Sequence, residues 1–140
     1  MGTLDAGGWK WHGGVVGRDG CVYGLPSNAD CVLKVDPFAQ RVTTIPFTYT
    51  QPRHRQPVDG KYKYAGGVLG PDGRIYCVPS DAMYVLRIDP ATEEVVEIGA
   101  CLEGKVGPRG ECNKWQNGFV AADGRIYAIP LKADCELCID

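Results

Sequence analysis

Seven cysteines, two histidines and three regularly placed aspartates are the side chains of this 140-residue chain best suited to chemistry. Cys101 and Cys112 lie in one glycine-rich stretch, and a disulfide between them would clamp that loop. In an oxidising compartment, closing so short a ring would stabilise the fold by about 2–3 kcal/mol on the chain-entropy model. The odd count leaves at least one thiol unpaired or intermolecular. Cys135-Glu136-Leu137-Cys138 has the spelling of a C-x-x-C motif. On a strand, however, residues three apart face opposite ways, and no second such pair or histidine pair completes a metal site. The histidines, His12 and His54, are far apart in the chain. Asp19, Asp72 and Asp123 each precede a glycine, which marks them as turn residues. One such carboxylate per repeat gathered around a central calcium ion is the sharper alternative. No nucleophile elbow, phosphate loop or dinucleotide fingerprint is present. The sequence therefore assigns no catalytic residue, no metal ligand and no cofactor.

The spacing of those aspartates belongs to a larger repeat. Lys10-Trp11-His12-Gly13-Gly14-Val15-Val16 is followed by Asp19-Gly20-Cys21-Val22-Tyr23 and Pro26. Lys63-Tyr64-Ala65-Gly66-Gly67-Val68-Leu69 is followed by Asp72-Gly73-Arg74-Ile75-Tyr76 and Pro79. From Lys114 the pattern returns through Trp115, Gly118, Asp123-Gly124-Arg125-Ile126-Tyr127 and Pro130. The first two copies stay aligned without a gap through Asp36-Pro37 and Asp89-Pro90 to Ile45 and Ile98. The copies span about 10–47, 63–99 and 114–140, with linkers 48–62 and 100–113.

Each copy reads as four short strands. Paired glycines lead into the first, and Asp-Gly supplies the positive φ of a tight hairpin. The second, such as Arg74-Ile75-Tyr76-Cys77-Val78, is apolar on both faces, as a strand between neighbouring sheets must be. The third, Tyr84–Asp89, alternates, with Tyr84, Leu86 and Ile88 on one face. Cys31 and Cys135 stand where the second copy has Tyr84, and are expected in the core. A turn at Asp-Pro leads to the fourth strand, Glu94–Ile98 in the second copy. The expectation is an all-β chain, a partial β-propeller with two complete four-stranded antiparallel blades and one truncated blade. Two and three-quarter blades do not close a ring. An open blade exposes sheet faces and edges, so a longer chain, packing of the chain on itself or a covering partner is expected.

The string Gly-Gly-Val…Pro-Asp-Gly-Arg-Ile-Tyr…Val-Pro…Arg-Ile-Asp-Pro resembles the blades of kelch, NHL and related propellers. It also resembles the tandem repeats of uncharacterised algal and protist proteins. That resemblance covers nearly the whole chain. It implies an organellar setting, in plastid or mitochondrion, as an accessory subunit of a photosynthetic or respiratory assembly. It also leaves open two other uses of a propeller: a hydrolase or lactonase with a central metal, and a glycan- or peptide-binding platform.

Candidate contact residues follow from the exceptions to the repeat. Trp9 has no counterpart in this alignment and reads as a surface anchor. Arg53-His54-Arg55 makes the first linker locally basic. Trp11, Tyr64 and Trp115 recur with the scaffold, so packing between blades explains them better than a ligand face does. A net charge of −2 argues against a nucleic-acid surface. No apolar run is long enough to cross a bilayer, although peripheral association with a membrane complex stays open. The first residues have no apolar signal core, and Ala6 breaks the myristoylation pattern. The expected function is a non-catalytic interaction or structural module held by other protein subunits.

Overall fold

The computed structural model describes residues 3–50, 62–102 and 113–140. Their strands form three antiparallel sheets of four, four and three strands. The first contains β1 (Trp11–Val16), β2 (Val22–Pro26), β3 (Cys31–Asp36) and β4 (Arg41–Pro46). The second contains β5 (Tyr64–Leu69), β6 (Ile75–Pro79), β7 (Val85–Asp89) and β8 (Glu94–Ile98). The third contains β9 (Trp115–Val120), β10 (Ile126–Pro130) and β11 (Leu137–Ile139). Strand order in every sheet follows the chain. The inner strands β1, β5 and β9 lie side by side, so the sheets stack in sequence around their leading strands.

The hairpins show why each copy carries Asp-Gly. The Gly20 amide donates to the Gly17 carbonyl at 3.0 Å, and only the glycine is left-handed, with φ of 78°. The turn is therefore the three-residue kind that ends in a left-handed glycine, not one with both residues at positive φ. The aspartate does separate work. Asp19 accepts the Cys21 amide at 3.1 Å and the Tyr23 hydroxyl at 2.7 Å. Asp72 and Asp123 repeat this with Tyr76 and Tyr127, each at 2.8 Å. Burial opposes ionisation of Asp19 and Asp72, but the tyrosine and amide donors outweigh it and hold both carboxyls below their ordinary value. These three carboxylates thus lock hairpin to strand within their own sheets.

Two apolar cores fill the spaces between sheets. Tyr23, Leu25, Val32 and Ile45 of the first sheet meet Tyr64, Cys77, Leu86 and Ile88 of the second. Val78 and Val85 of the second meet Trp115, Ala128 and Leu137 of the third. The middle sheet is consequently buried on both sides. That is why Val85 is buried along with Leu86 and Ile88, while Tyr84 is only half-buried and lies outside the strand. The expected core cysteines are not there: Cys31 is half-buried and Cys135 exposed. What the repeat uses at that position is the backbone. The Trp11 indole donates to the Cys31 carbonyl at 2.9 Å, and the Trp115 indole to the Cys135 carbonyl at 2.7 Å.

Polar ties also cross the gaps. The Lys63 amide donates to the Ser27 carbonyl and the Lys114 amide to the Ser80 carbonyl, both at 3.0 Å. Lys63 and Lys114 are buried at these junctions, and burial pushes the Lys63 amine down to about 8. Below that pH the charged amine sits in a site that disfavours charge. Between pH 8 and the ordinary 10.5, the folded chain has released a proton that the unfolded chain still holds. Stability relative to Lys63→Met should therefore rise with pH across that window. Denaturant midpoints of both proteins at several pH values measure this. A difference that stays constant would place the amine in water.

Candidate functional site

The hairpin turns lie at one end of the inner strands, and a different set of side chains gathers at the other. Just ahead of β1, β5 and β9 stand Trp9, Tyr62 and Asn113, with φ of 55°, 51° and 63°. Left-handed backbone is unusual for residues other than glycine and needs support from its surroundings. For Tyr62 and Asn113 the support comes from the preceding sheet. The Tyr62 amide donates to the Asn28 side chain at 2.9 Å, and the Asn113 amide donates to Asp81 at 2.8 Å. Asn28 and Asp81 in turn donate their own amides to the Trp9 and Tyr62 carbonyls, each at 3.1 Å. Trp9 therefore does have counterparts, one in each later copy. The signal was in the sequence: each of the three directly precedes the repeated lysine.

These residues rim a cavity of about 270 Å³ at the axial end of the three sheets. Buried Tyr64 and Trp115 line its inner side, while His12 and Gln116 share one repeat position at its margin. Trp9 is 71% exposed and Tyr62 45% exposed, so two aromatic faces are presented to solvent. Among the described residues no carboxylate, lysine or arginine lines the cavity. It can take an uncharged group against aromatic rings and hydrogen-bond it through amide, hydroxyl or imidazole. Its volume lies just below the usual range for small-molecule sites, about 300–1,000 Å³.

The repeated aromatics divide their roles. Tyr64 and Trp115 pack between sheets, as expected, and also reach the cavity. Trp11 is half-buried and lines instead a groove of about 680 Å³ beneath residues 3–8. Arg53, His54 and Arg55 lie outside the described residues. So does Cys112; Cys101 is a free, exposed thiol, and no disulfide joins the described cysteines. Cys138 is also free and exposed, and among the described residues no three metal-ligating side chains cluster. Trp9 lies exposed at the rim of the cavity, and Tyr62, Asn113 and Gln116, which the sequence did not single out, join it there.

The three stacked, ordered sheets are part of a β-propeller. Among solved structures, virginiamycin B lyase from Staphylococcus aureus superposes on 98% of this chain with a TM-score of 0.68 and 13% identity. A streptogramin B lyase structure covers 86% of it, with a TM-score of 0.59 and 17% identity. Kuenenia stuttgartiensis hydrazine synthase covers 99%, with a TM-score of 0.56 and 14% identity. The chain spans 40%, 34% and 36% of those chains, respectively. At such identities the likeness establishes fold alone. No family model matches the chain, and no curated protein matches its sequence.

Proposed function

We propose that this chain is a non-catalytic protein-interaction module whose axial face seats an uncharged segment of a partner subunit. The observation that carries this reading is the placement of Trp9, Tyr62 and Asn113 at one repeat position around one cavity. The repeat projects three unlike side chains from three equivalent sites, where scaffold residues such as Asp-Gly and Tyr stay alike. Exposed aromatic rings around a pocket sized for a single large side chain suit a binding hot spot. On this reading the module is an accessory subunit of a larger assembly. The motif's finer likeness to kelch and NHL blades and to algal and protist repeats belongs to the same proposal, and directs the search toward organellar complexes.

A second reading, glycan binding, is favoured by the same exposed rings beside the amides of Asn113 and Gln116. Selection from a random peptide library, run beside a glycan array, separates the two. Peptides sharing one large apolar residue in a neutral context, and losing binding to Trp9→Ala, support the proposal. Glycan hits lost on the same substitution, with no peptide selected, overturn it in favour of the second reading.

A further inference from the structure

The inner strand of every sheet departs from regular pairing beside the axial cavity. Register shifts fall between Trp11 and Gly14, between Tyr64 and Gly67, and opposite Ala128 and Ile129. In the third sheet Gln116 pairs with Ile129 and Gly118 with Ala128, so Asn117 is the extra residue of a bulge. Bulges re-aim side chains and are common beside functional sites. Here each lies next to the cavity-lining residue that follows the repeated aromatic: His12, Ala65 and Gln116. All three sheets contribute to the lining.

The polar groups gathered there have donors to spare. Among the described residues, the Trp9 indole, the His12 imidazole, the Ser27 and Tyr62 hydroxyls and the Gln116 amide make no hydrogen bond. The Asn113 side-chain carbonyl accepts the Ser80 hydroxyl at 3.1 Å, which leaves its NH2 group as the part without a partner. The indole and that NH2 group can only donate, whereas the hydroxyls, the imidazole and the Gln116 amide can donate or accept. None of these groups is confined to accepting, and no carboxylate lines the cavity among the described residues. The site is therefore richer in donors than in acceptors.

A matching ligand carries carbonyl oxygens but few N–H groups, bears no charge and lays apolar surface on aromatic rings. Proline meets all three conditions, since it has a backbone carbonyl and no backbone N–H. A polyproline II segment makes no internal hydrogen bonds, so its carbonyls stay open to outside donors. Its preset φ also lowers the entropy lost on docking. A glycan hydroxyl donates as well as accepts, and gains less from a surplus of donors. Given the interaction-module reading, on which this rests, we infer that the axial cavity recognises an uncharged, proline-rich segment in the polyproline II conformation. The exposed rings of Trp9 and Tyr62 take the proline faces, and the Trp9, Asn113 and Gln116 donors take the carbonyls.

The test scores proline among the random-library peptides whose binding is lost with Trp9→Ala. Neighbouring prolines or Pro-x-x-Pro should be enriched. Replacing those prolines by alanine in a selected peptide should weaken binding by about tenfold or more, as hot-spot losses do. Gln116→Glu keeps the side chain's shape but exchanges its NH2 donor for a carboxylate oxygen, and should also weaken the peptide by about tenfold. Gln116 is exposed, so a thermal melt of this variant should match the parent. Peptides that depend on Trp9 but contain no proline overturn the inference and leave the interaction-module reading standing. A proline peptide indifferent to Gln116→Glu overturns it as well, because the donors are then idle. If no peptide depends on Trp9, both fail.

Discussion

Trp115→Ala should destabilise the protein by about 3–5 kcal/mol, the usual cost of emptying a large aromatic site in a core. Trp115 is nearly fully buried and contacts the core that joins the second and third sheets, with Val78, Val85 and Leu137 around it. Its indole also donates to the Cys135 carbonyl at 2.7 Å, a bond that alanine cannot make. This is a large share of the roughly 5–15 kcal/mol that stabilises a typical domain. Trp11→Ala, at the equivalent but half-buried position, should cost distinctly less. Chemical denaturation of both variants measures the contrast. Equal losses would mean that the aromatics serve their own sheets and not the junctions.

Lys114→Met should cost about 1–3 kcal/mol, because the buried Ala82 carbonyl loses its charged donor. The Lys114 amine donates to the Ser80 carbonyl at 3.0 Å and to the Ala82 carbonyl at 2.7 Å, both in the preceding sheet. Methionine keeps the bulk of the stem but cannot donate, so packing is largely preserved and the polar tie is lost. At Lys10, which is half-buried and whose amine donates to the Asp5 carbonyl of its own segment, the same change should cost under about 1 kcal/mol, as substitutions near the surface do. Denaturation midpoints read both. A Lys114→Met protein as stable as the parent would show that these carbonyls find other donors.

The architecture was legible because its determinants are local and repeated. Asp-Gly pairs fixed the hairpins, the apolar second strands foretold sheets buried on both sides, and the repeat gave the strand order. Burial of individual positions was harder to read. Cys31 and Cys135 align with a residue near a strand start, yet the repeat exploits their carbonyls, and a backbone acceptor leaves no mark on side-chain type. The same limit applied to the aspartates. Their place before glycine announced a turn, but the bonds from Tyr23, Tyr76 and Tyr127 depend on how the following strand folds back.

The axial site was half visible. Trp9 stood out as an exposed aromatic beside the repeat. Its kinship with Tyr62 and Asn113 shows in the sequence only as a shared place before the repeated lysine, because the three have in common a backbone conformation and not one side-chain type. That combination, a fixed left-handed backbone carrying variable side chains, is what a scaffold requires where it presents a recognition surface.

Recognition at this face is tested most directly by the affinity of a library-selected peptide for three proteins: the parent, Trp9→Ala, and Phe38→Ala. Phe38 is exposed and lies beyond β3, in the turn to β4, where the Gly20 hairpin also comes close to it. The account predicts that Trp9→Ala weakens binding by about tenfold or more, in the range of interface hot spots, while Phe38→Ala leaves it unchanged. Binding that survives Trp9→Ala and is lost with Phe38→Ala would move the recognition surface to the opposite end of the sheets and contradict it.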